Sequence, residues 1–321
     1  MRNTFINTII DLTKDRDDVF VLSGDAGLGV FDSFQQERSE RFLNMGVAEQ
    51  NMASFAAGLT MAGFKVCMYN ITPFVLYRCY EQIRNDICYQ RLGVIMVGIG
   101  SGVTYAPAGM THYSVEDIGI ARTLPNLQVL SPIDPIEARA VAKYALDVDS
   151  PVYVRLAKRG EPYIHRDEQV DVTSPHVVEE GEGIAIVFHG SIGVEVLRAR
   201  ARLAEEGVFP RLVSLPMVQP VPFDRLREML CDVKHVVSVE EHFLGCGLGS
   251  ALLQEYVRIE PSWRLHTLGI GDAFIHEVKT CEGMRDHFGI SGERIATFVR
   301  GIVDGGASCS GAASECHNAF A

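Results

Sequence analysis

Glu49 is a lone carboxylate in the first turn of an otherwise apolar helical stretch. Residues 48–62 are rich in Ala, Met, Leu and Phe, and Gly63 stands where a left-handed cap would end the helix before the strand-like run 65–69. Such a carboxylate has two readings. It can stabilise the positive helix end, or burial can keep it partly protonated, so that it hydrogen-bonds a heteroaromatic nitrogen. Phe74 and Tyr77, one helical turn apart after Pro73, are either core residues or a flat apolar platform for an aromatic ring. His112 closes a Gly-rich loop, 100–113, rather than sitting on an apolar strand face, so it is as much a catalytic or binding candidate as a packing one.

The elements that must hold these residues alternate in type. An amphipathic helix over 3–12 precedes a buried strand at 19–22, which runs into the loop 23–29 at its carboxyl end, where open α/β sheets place their ligands. After the Glu49 helix come the strand 65–69, a helix over 74–88, a strand at 94–99, the long loop and a helix over 114–122. Asp134-Pro135-Ile136-Glu137 combines an N-cap, a first-turn proline and a capping-box acid, and predicts a helix to about Asp147. The strand 152–156 closes this unit. Repeated strand–helix alternation implies a mainly parallel sheet flanked by helices on both faces. The charged, proline-interrupted stretch 164–182 reads as a linker, and a second, smaller α/β alternation fills 183–304. The expected organisation is therefore a first domain over 1–163, a linker over 164–182, a second domain over 183–304 and a mobile tail over 305–321.

A chain of 321 residues with 47% hydrophobic content is long enough for two cored domains. Its net charge of −12 argues against nucleic acid or an anionic membrane as partner. The start lacks the continuous apolar stretch and small-residue cleavage site of a signal peptide, and no apolar run is long enough to span a bilayer, so a cytoplasmic location is expected. Eight cysteines show no Cys-x-x-Cys and no regular spacing with His, which suggests core thiols rather than a zinc site or disulfides. Gly245-x-Gly247-x-Gly249 lacks the full dinucleotide spacing and a following ribose acid, so a tight strand-to-helix turn is the favoured reading.

The run Gly46-Val47-Ala48-Glu49-Gln50-Asn51, the segment from Thr72-Pro73-Phe74 through Tyr77 to Asn85, and Gly109-Met110-Thr111-His112-Tyr113 resemble the pyrimidine-binding domain of transketolases. The likeness extends over about 300 residues, and is nearest to the C-terminal subunit of split transketolases, with deoxyxylulose-phosphate synthase as a near relative. It implies thiamine diphosphate as cofactor. Glu49 then matches the glutamate that hydrogen-bonds the aminopyrimidine ring and favours its imino tautomer. Phe74 and Tyr77 match aromatics packed on that ring, Asp25 an acid near cofactor and subunit interface, and His112 a histidine contacting the sugar. Lys158 and Arg159 fall near a phosphate-binding arginine.

Three positions depart from the family's pattern. Ala108 replaces an aspartate that reads a donor hydroxyl, Gly100 a histidine that helps hold the sugar phosphate, and Gly29 a phosphate-contacting serine. A site without these groups should not hold the usual sugar phosphate in the usual way. Gly24-Asp25-Ala26 with Asn51 only approaches the Gly-Asp-Gly…Asn signature that holds the metal and diphosphate, so no metal ligand is assigned to this chain. The resemblance thus implies one subunit of a two-chain transketolase-like enzyme, its Mg²⁺ or other divalent metal held by a separate diphosphate-binding partner in an α2β2 assembly. The rival readings are the β subunit of a 2-oxo acid dehydrogenase and a non-catalytic regulatory subunit with a vestigial pocket.

Overall fold

Runs that are apolar on both faces, such as Ile95–Ile99 and Ile184–Phe188, in which every residue is buried, belong inside sheets covered on both sides. The computed structural model, which describes residues 1–26, 29–158 and 160–305, places them so. In chain order the strands are β1 (Val19–Ser23), β2 (Phe42–Asn44), β3 (Lys65–Ile71), β4 (Ile95–Ile99), β5 (Gln128–Leu130), β6 (Val152–Leu156), β7 (His176–Glu179), β8 (Ile184–Phe188), β9 (Arg211–Ser214), β10 (Met217–Gln219), β11 (His235–Phe243) and β12 (Arg264–Ile270). One sheet has the order β10-β5-β6-β4-β3-β1-β2 and the other β12-β11-β8-β9-β7. All pairings are parallel except β10 with β5 and β7 with β9.

Those two exceptions lie where the sequence suggested no strand. His176–Glu179 is a sheet-edge strand inside the expected linker, and Met217–Gln219 returns from the second half of the chain to extend the first sheet. Both are three or four residues long, too short to show a period. The expected tail lies outside the described residues from 306 onward, as does Arg159.

Local signals fix the elements around the candidate residues. Helix Glu49–Met61 buries Met52, Ala53, Ala56 and Ala57 against Leu22, Val66 and Met68, and Gly63 follows it with φ +96°. Glu49 lies on the same helical face as Ala53 and Ala56, which is why a carboxylate ends up inside. In helix Pro135–Asp147 the Asp134 side chain accepts from the Glu137 amide at 2.8 Å, and the Glu137 carboxylate reaches back to the Ile133 amide at 2.8 Å, one residue before the box geometry expects.

The segment after β3 departs from the expected plain helix. It is a π-turn over Pro73–Tyr77, a short α-turn over Tyr80–Gln82 and a second π-turn over Ile83–Cys88. The Arg78 amide donates to the Pro73 carbonyl at 3.1 Å, five residues back. The wider turn changes which side chains share a face.

Buried charge joins the two sheets. Arg155 on β6 donates to Asp117 at 2.7 Å and to the Ser114 and Glu241 carbonyls at 3.0 Å, while Tyr153 donates to the same Asp117 at 2.7 Å. From β11, Glu241 accepts from Arg285 at 2.9 Å and Ser191 at 2.8 Å. Burial opposes the charge on Glu241, but Arg285, with Ser191 and Arg155, outweighs it and holds the carboxyl below its ordinary range. The Gly245-x-Gly247-x-Gly249 turn belongs to this interface. Glu240 accepts from the Leu248 and Gly249 amides at 2.7 and 2.8 Å, and a Cβ on Gly247 would stand 1.9 Å from that carboxylate. The turn cradles the chain's own carboxylate at a helix start. Removing one partner of a buried ion pair strands the other, so Asp117→Ala is expected to cost about 3–5 kcal/mol of stability. A urea unfolding midpoint equal to the wild type would show that Arg155 finds full compensation elsewhere.

Candidate active site

The Glu49 carboxylate is only 3% exposed and has two partners. Asn70, at the end of β3, donates to Oε1 at 3.1 Å, and Arg78 donates to Oε2 at 3.0 Å. Asn70 is itself locked. Its Oδ1 accepts from the Ile71 amide at 2.8 Å, and its amide fills the space beside Gly24, where a Cβ would meet Nδ2 at 2.0 Å. The sequence left open whether this carboxylate stabilises the helix end or meets a heteroaromatic nitrogen; in the structure it is paired with the Arg78 guanidinium.

Arg78 also lies over Phe74, its Cζ 4.3 Å from the ring centroid. Phe74 meets the His112 ring edge-on at 5.7 Å, His112 meets Tyr105 at 5.9 Å, and Lys158 Nζ sits 4.9 Å above the Tyr105 ring. The His112 Nδ1 is 2.9 Å from the Thr111 hydroxyl. Glu49, Phe74, His112 and Lys158 therefore belong to one continuous arc at the carboxyl ends of β3, β4 and β6. Tyr77 faces elsewhere. Its hydroxyl donates to Glu116 at 3.1 Å, and its ring lines a neighbouring apolar pocket of about 500 Å³ with Tyr80, Ile120 and Cys246. Burial first, then the Asp117 and Glu116 charges, push its hydroxyl pKa far up. Asp25 is exposed at the end of β1, beside the Gly24 that packs on Asn70.

The sequence reading missed Asn70, Arg78 and Tyr105. A polar residue inside the apolar strand 65–71 was a signal for the first, and the position four residues after Phe74 for the second. Tyr105 explains one departure. A Cβ at Gly100, whose φ is +93°, would lie 1.9 Å from the Tyr105 ring, so the tyrosine fills the space beside a glycine that has no side chain. Among the described residues no group of three or more His, Cys, Asp or Glu side chains is arranged to hold a metal ion, and no helix is long and apolar enough to cross a membrane.

A buried carboxylate linked through an arginine to an aromatic ring thus lies at the carboxyl edge of a mainly parallel sheet, and a second mainly parallel sheet follows it. The family profile for the transketolase pyrimidine-binding domain matches residues 1–161, and that for the transketolase C-terminal domain matches residues 175–295. The chain belongs to the transketolase family. It is 32% identical over 301 residues to one subunit of the apulose-4-phosphate transketolase of Actinobacillus succinogenes, covering 93% of this chain and 97% of that protein. It is also 32% identical over 303 residues to a putative transketolase C-terminal section of Methanocaldococcus jannaschii, covering 93% and 95%. A solved split-gene transketolase, described as an inactive β4 tetramer, superposes with a TM-score of 0.84 at 29% identity over 93% of this chain and 96% of that one.

Proposed function

We propose that this chain is the pyrimidine-binding subunit of a two-chain, thiamine diphosphate-dependent transketolase, moving a two-carbon ketol unit from a ketose to an aldehyde. The carrying observation is the buried Glu49 carboxylate, joined through the half-exposed Arg78 to the ring of Phe74 at the carboxyl edge of the sheet. The site fits the cofactor's aminopyrimidine: Phe74 offers a flat face, and the one Glu49 partner that is not itself buried, Arg78, is a planar cation. When bound, the cofactor supplies the nucleophilic carbon and the electron sink.

The chain's own residues do the rest. Glu49 would accept a hydrogen bond from the protonated nitrogen of the pyrimidine and so favour its imino tautomer. Asn70 fixes the carboxylate from behind, and Gly24 leaves it the room to do so. His112, whose ring meets those of Phe74 and Tyr105, would hydrogen-bond the sugar near its reacting carbons. Lys158, parked on Tyr105, can turn to an anionic group, and Arg159 is its companion in that role. Asp25, exposed at the end of β1, would stand near the cofactor, whereas Tyr77, turned to Glu116, is not part of this ring site. The diphosphate and its divalent metal would be held by the partner, within an α2β2 assembly. Such a division is supported by a relative that is named as one subunit of its transketolase, and by another described as an inactive β4 tetramer.

Reconstitution with a diphosphate-binding transketolase subunit and assay of ketol transfer over a panel of free and phosphorylated ketoses tests the proposal. Absence of thiamine diphosphate-dependent transfer across the panel would refute it. The same panel carries a specificity prediction. Gly29, Ala108 and the Tyr105-filled space beside Gly100 offer no charged contact to a phosphate. One charged hydrogen bond is worth about 1.5–3 kcal/mol, so preference for phosphorylated ketoses should be roughly tenfold or more below that of a transketolase retaining those groups. A kcat/KM ratio strongly favouring the phosphate would show that Lys158, Arg159 or the partner compensates.

A further inference from the structure

The two contacts made by Arg78 are the two that an aminopyrimidine would need. A guanidinium is planar, stacks on aromatic faces and donates hydrogen bonds in its own plane. Here it lies over Phe74 with Cζ 4.3 Å from the centroid and donates to Glu49 Oε2 at 3.0 Å. The pair is lopsided. Glu49 is 3% exposed and pinned by Asn70, whereas the Arg78 side chain is 42% exposed. A purely structural buried pair would enclose both partners; this one has a fixed, buried anion and a cation on a flexible stem open to solvent.

We infer, resting on the cofactor assignment above, that Arg78 holds the place of the aminopyrimidine in the cofactor-free chain and is displaced when the cofactor enters. The arrangement has a physical motive. A buried carboxylate with no counter-charge is costly, and this carboxylate must wait unpaired with any cofactor until the site is filled. Arg78 keeps it paired in the interval. The consequence is competition: cofactor affinity is reduced by the fraction of molecules in which the guanidinium occupies the ring's position.

Arg78→Ala should therefore act with opposite signs on two measurements. The cofactor-free variant melts at a lower temperature than the wild type, because Glu49 has lost its counter-charge. Calorimetric titration of thiamine diphosphate and Mg²⁺ into the cofactor-free two-chain complex should show tighter binding, by about tenfold for the loss of one stacked cation and one half-exposed ion pair. Arg78→Lys, which retains the charge but not the planar stacking, should fall between. Binding in Arg78→Ala that is unchanged within twofold, or weaker, beside metal-dependent binding in the wild type overturns the placeholder and leaves the cofactor site standing. No metal-dependent binding in the wild-type complex overturns both.

Discussion

Glu49→Gln is expected to slow exchange of the C2 proton of bound thiamine diphosphate by at least about a hundredfold, the lower end of what a positioned acid–base group contributes. Affinity for the cofactor should change by no more than a few fold. The amide can still meet the ring nitrogen, and its oxygen can still accept from Asn70, which now reaches Oε1 at 3.1 Å. What it cannot do is respond to the ring's proton, so the tautomer that removes the C2 proton is no longer favoured. Loss of the Arg78 ion pair at 3.0 Å would, if Arg78 competes for the site, favour the cofactor and offset the weaker hydrogen bond that an amide makes to the ring. Hydrogen–deuterium exchange at C2 in the assembled complex measures the effect directly. Exchange at the wild-type rate would remove Glu49 from the proton relay, whatever happened to turnover.

How far such residues can be read without coordinates depends on which physical signal carries them. Helix Glu49–Met61 was legible from its apolar face and from Gly63, and helix Pro135–Asp147 from a cap, a proline and an acid in fixed order. These are local signals. The π-turns over Pro73–Tyr77 and Ile83–Cys88 were not legible, because nothing in residue type distinguishes an i−5 from an i−4 hydrogen bond. Short strands such as β5 and β10 depend on each other's pairing across nearly ninety residues of chain, from 130 to 217, and so carry no local pattern. The candidate site divides the same way. Glu49, Phe74 and His112 carried motifs and came together. Tyr77 carried one too, yet its hydroxyl turns to Glu116, since the wider turn sets its direction. Arg78 lay within the segment that carried the resemblance but had no role assigned to it; only the geometry brings it onto both Phe74 and Glu49. The glycines at 245, 247 and 249 illustrate the converse. Their spacing suggested a strand-to-helix turn and could not reveal that Glu240 lies in it.

The chain alone is expected neither to bind thiamine diphosphate tightly nor to catalyse ketol transfer. On the proposed assignment Phe74 and Glu49 would hold a pyrimidine, but stacking and one hydrogen bond do not neutralise a diphosphate, and the described residues offer no acidic or histidine cluster to bring a metal to it. The surface around Glu49 also asks for cover. Leu43 and Val47 precede the Glu49 helix and are 40% and 72% exposed, while Phe55 and Met61 on that helix are 40% and 62% exposed. Single exposed apolar residues are ordinary, but these lie on the strand, turn and helix that carry the candidate catalytic carboxylate, where a partner chain would cover them. A partner seated there would close the mouth of the site and bring the diphosphate-binding groups to the far end of the same cofactor. Two such pairs related by a twofold axis give the α2β2 form, since closed symmetry satisfies every copy of the interface. Calorimetry with cofactor and Mg²⁺ on the isolated chain should show binding weaker than micromolar, and addition of the partner should bring tight binding and turnover together. Micromolar, metal-dependent binding by the isolated chain, or ketol transfer without a second protein, would sink the two-chain assignment.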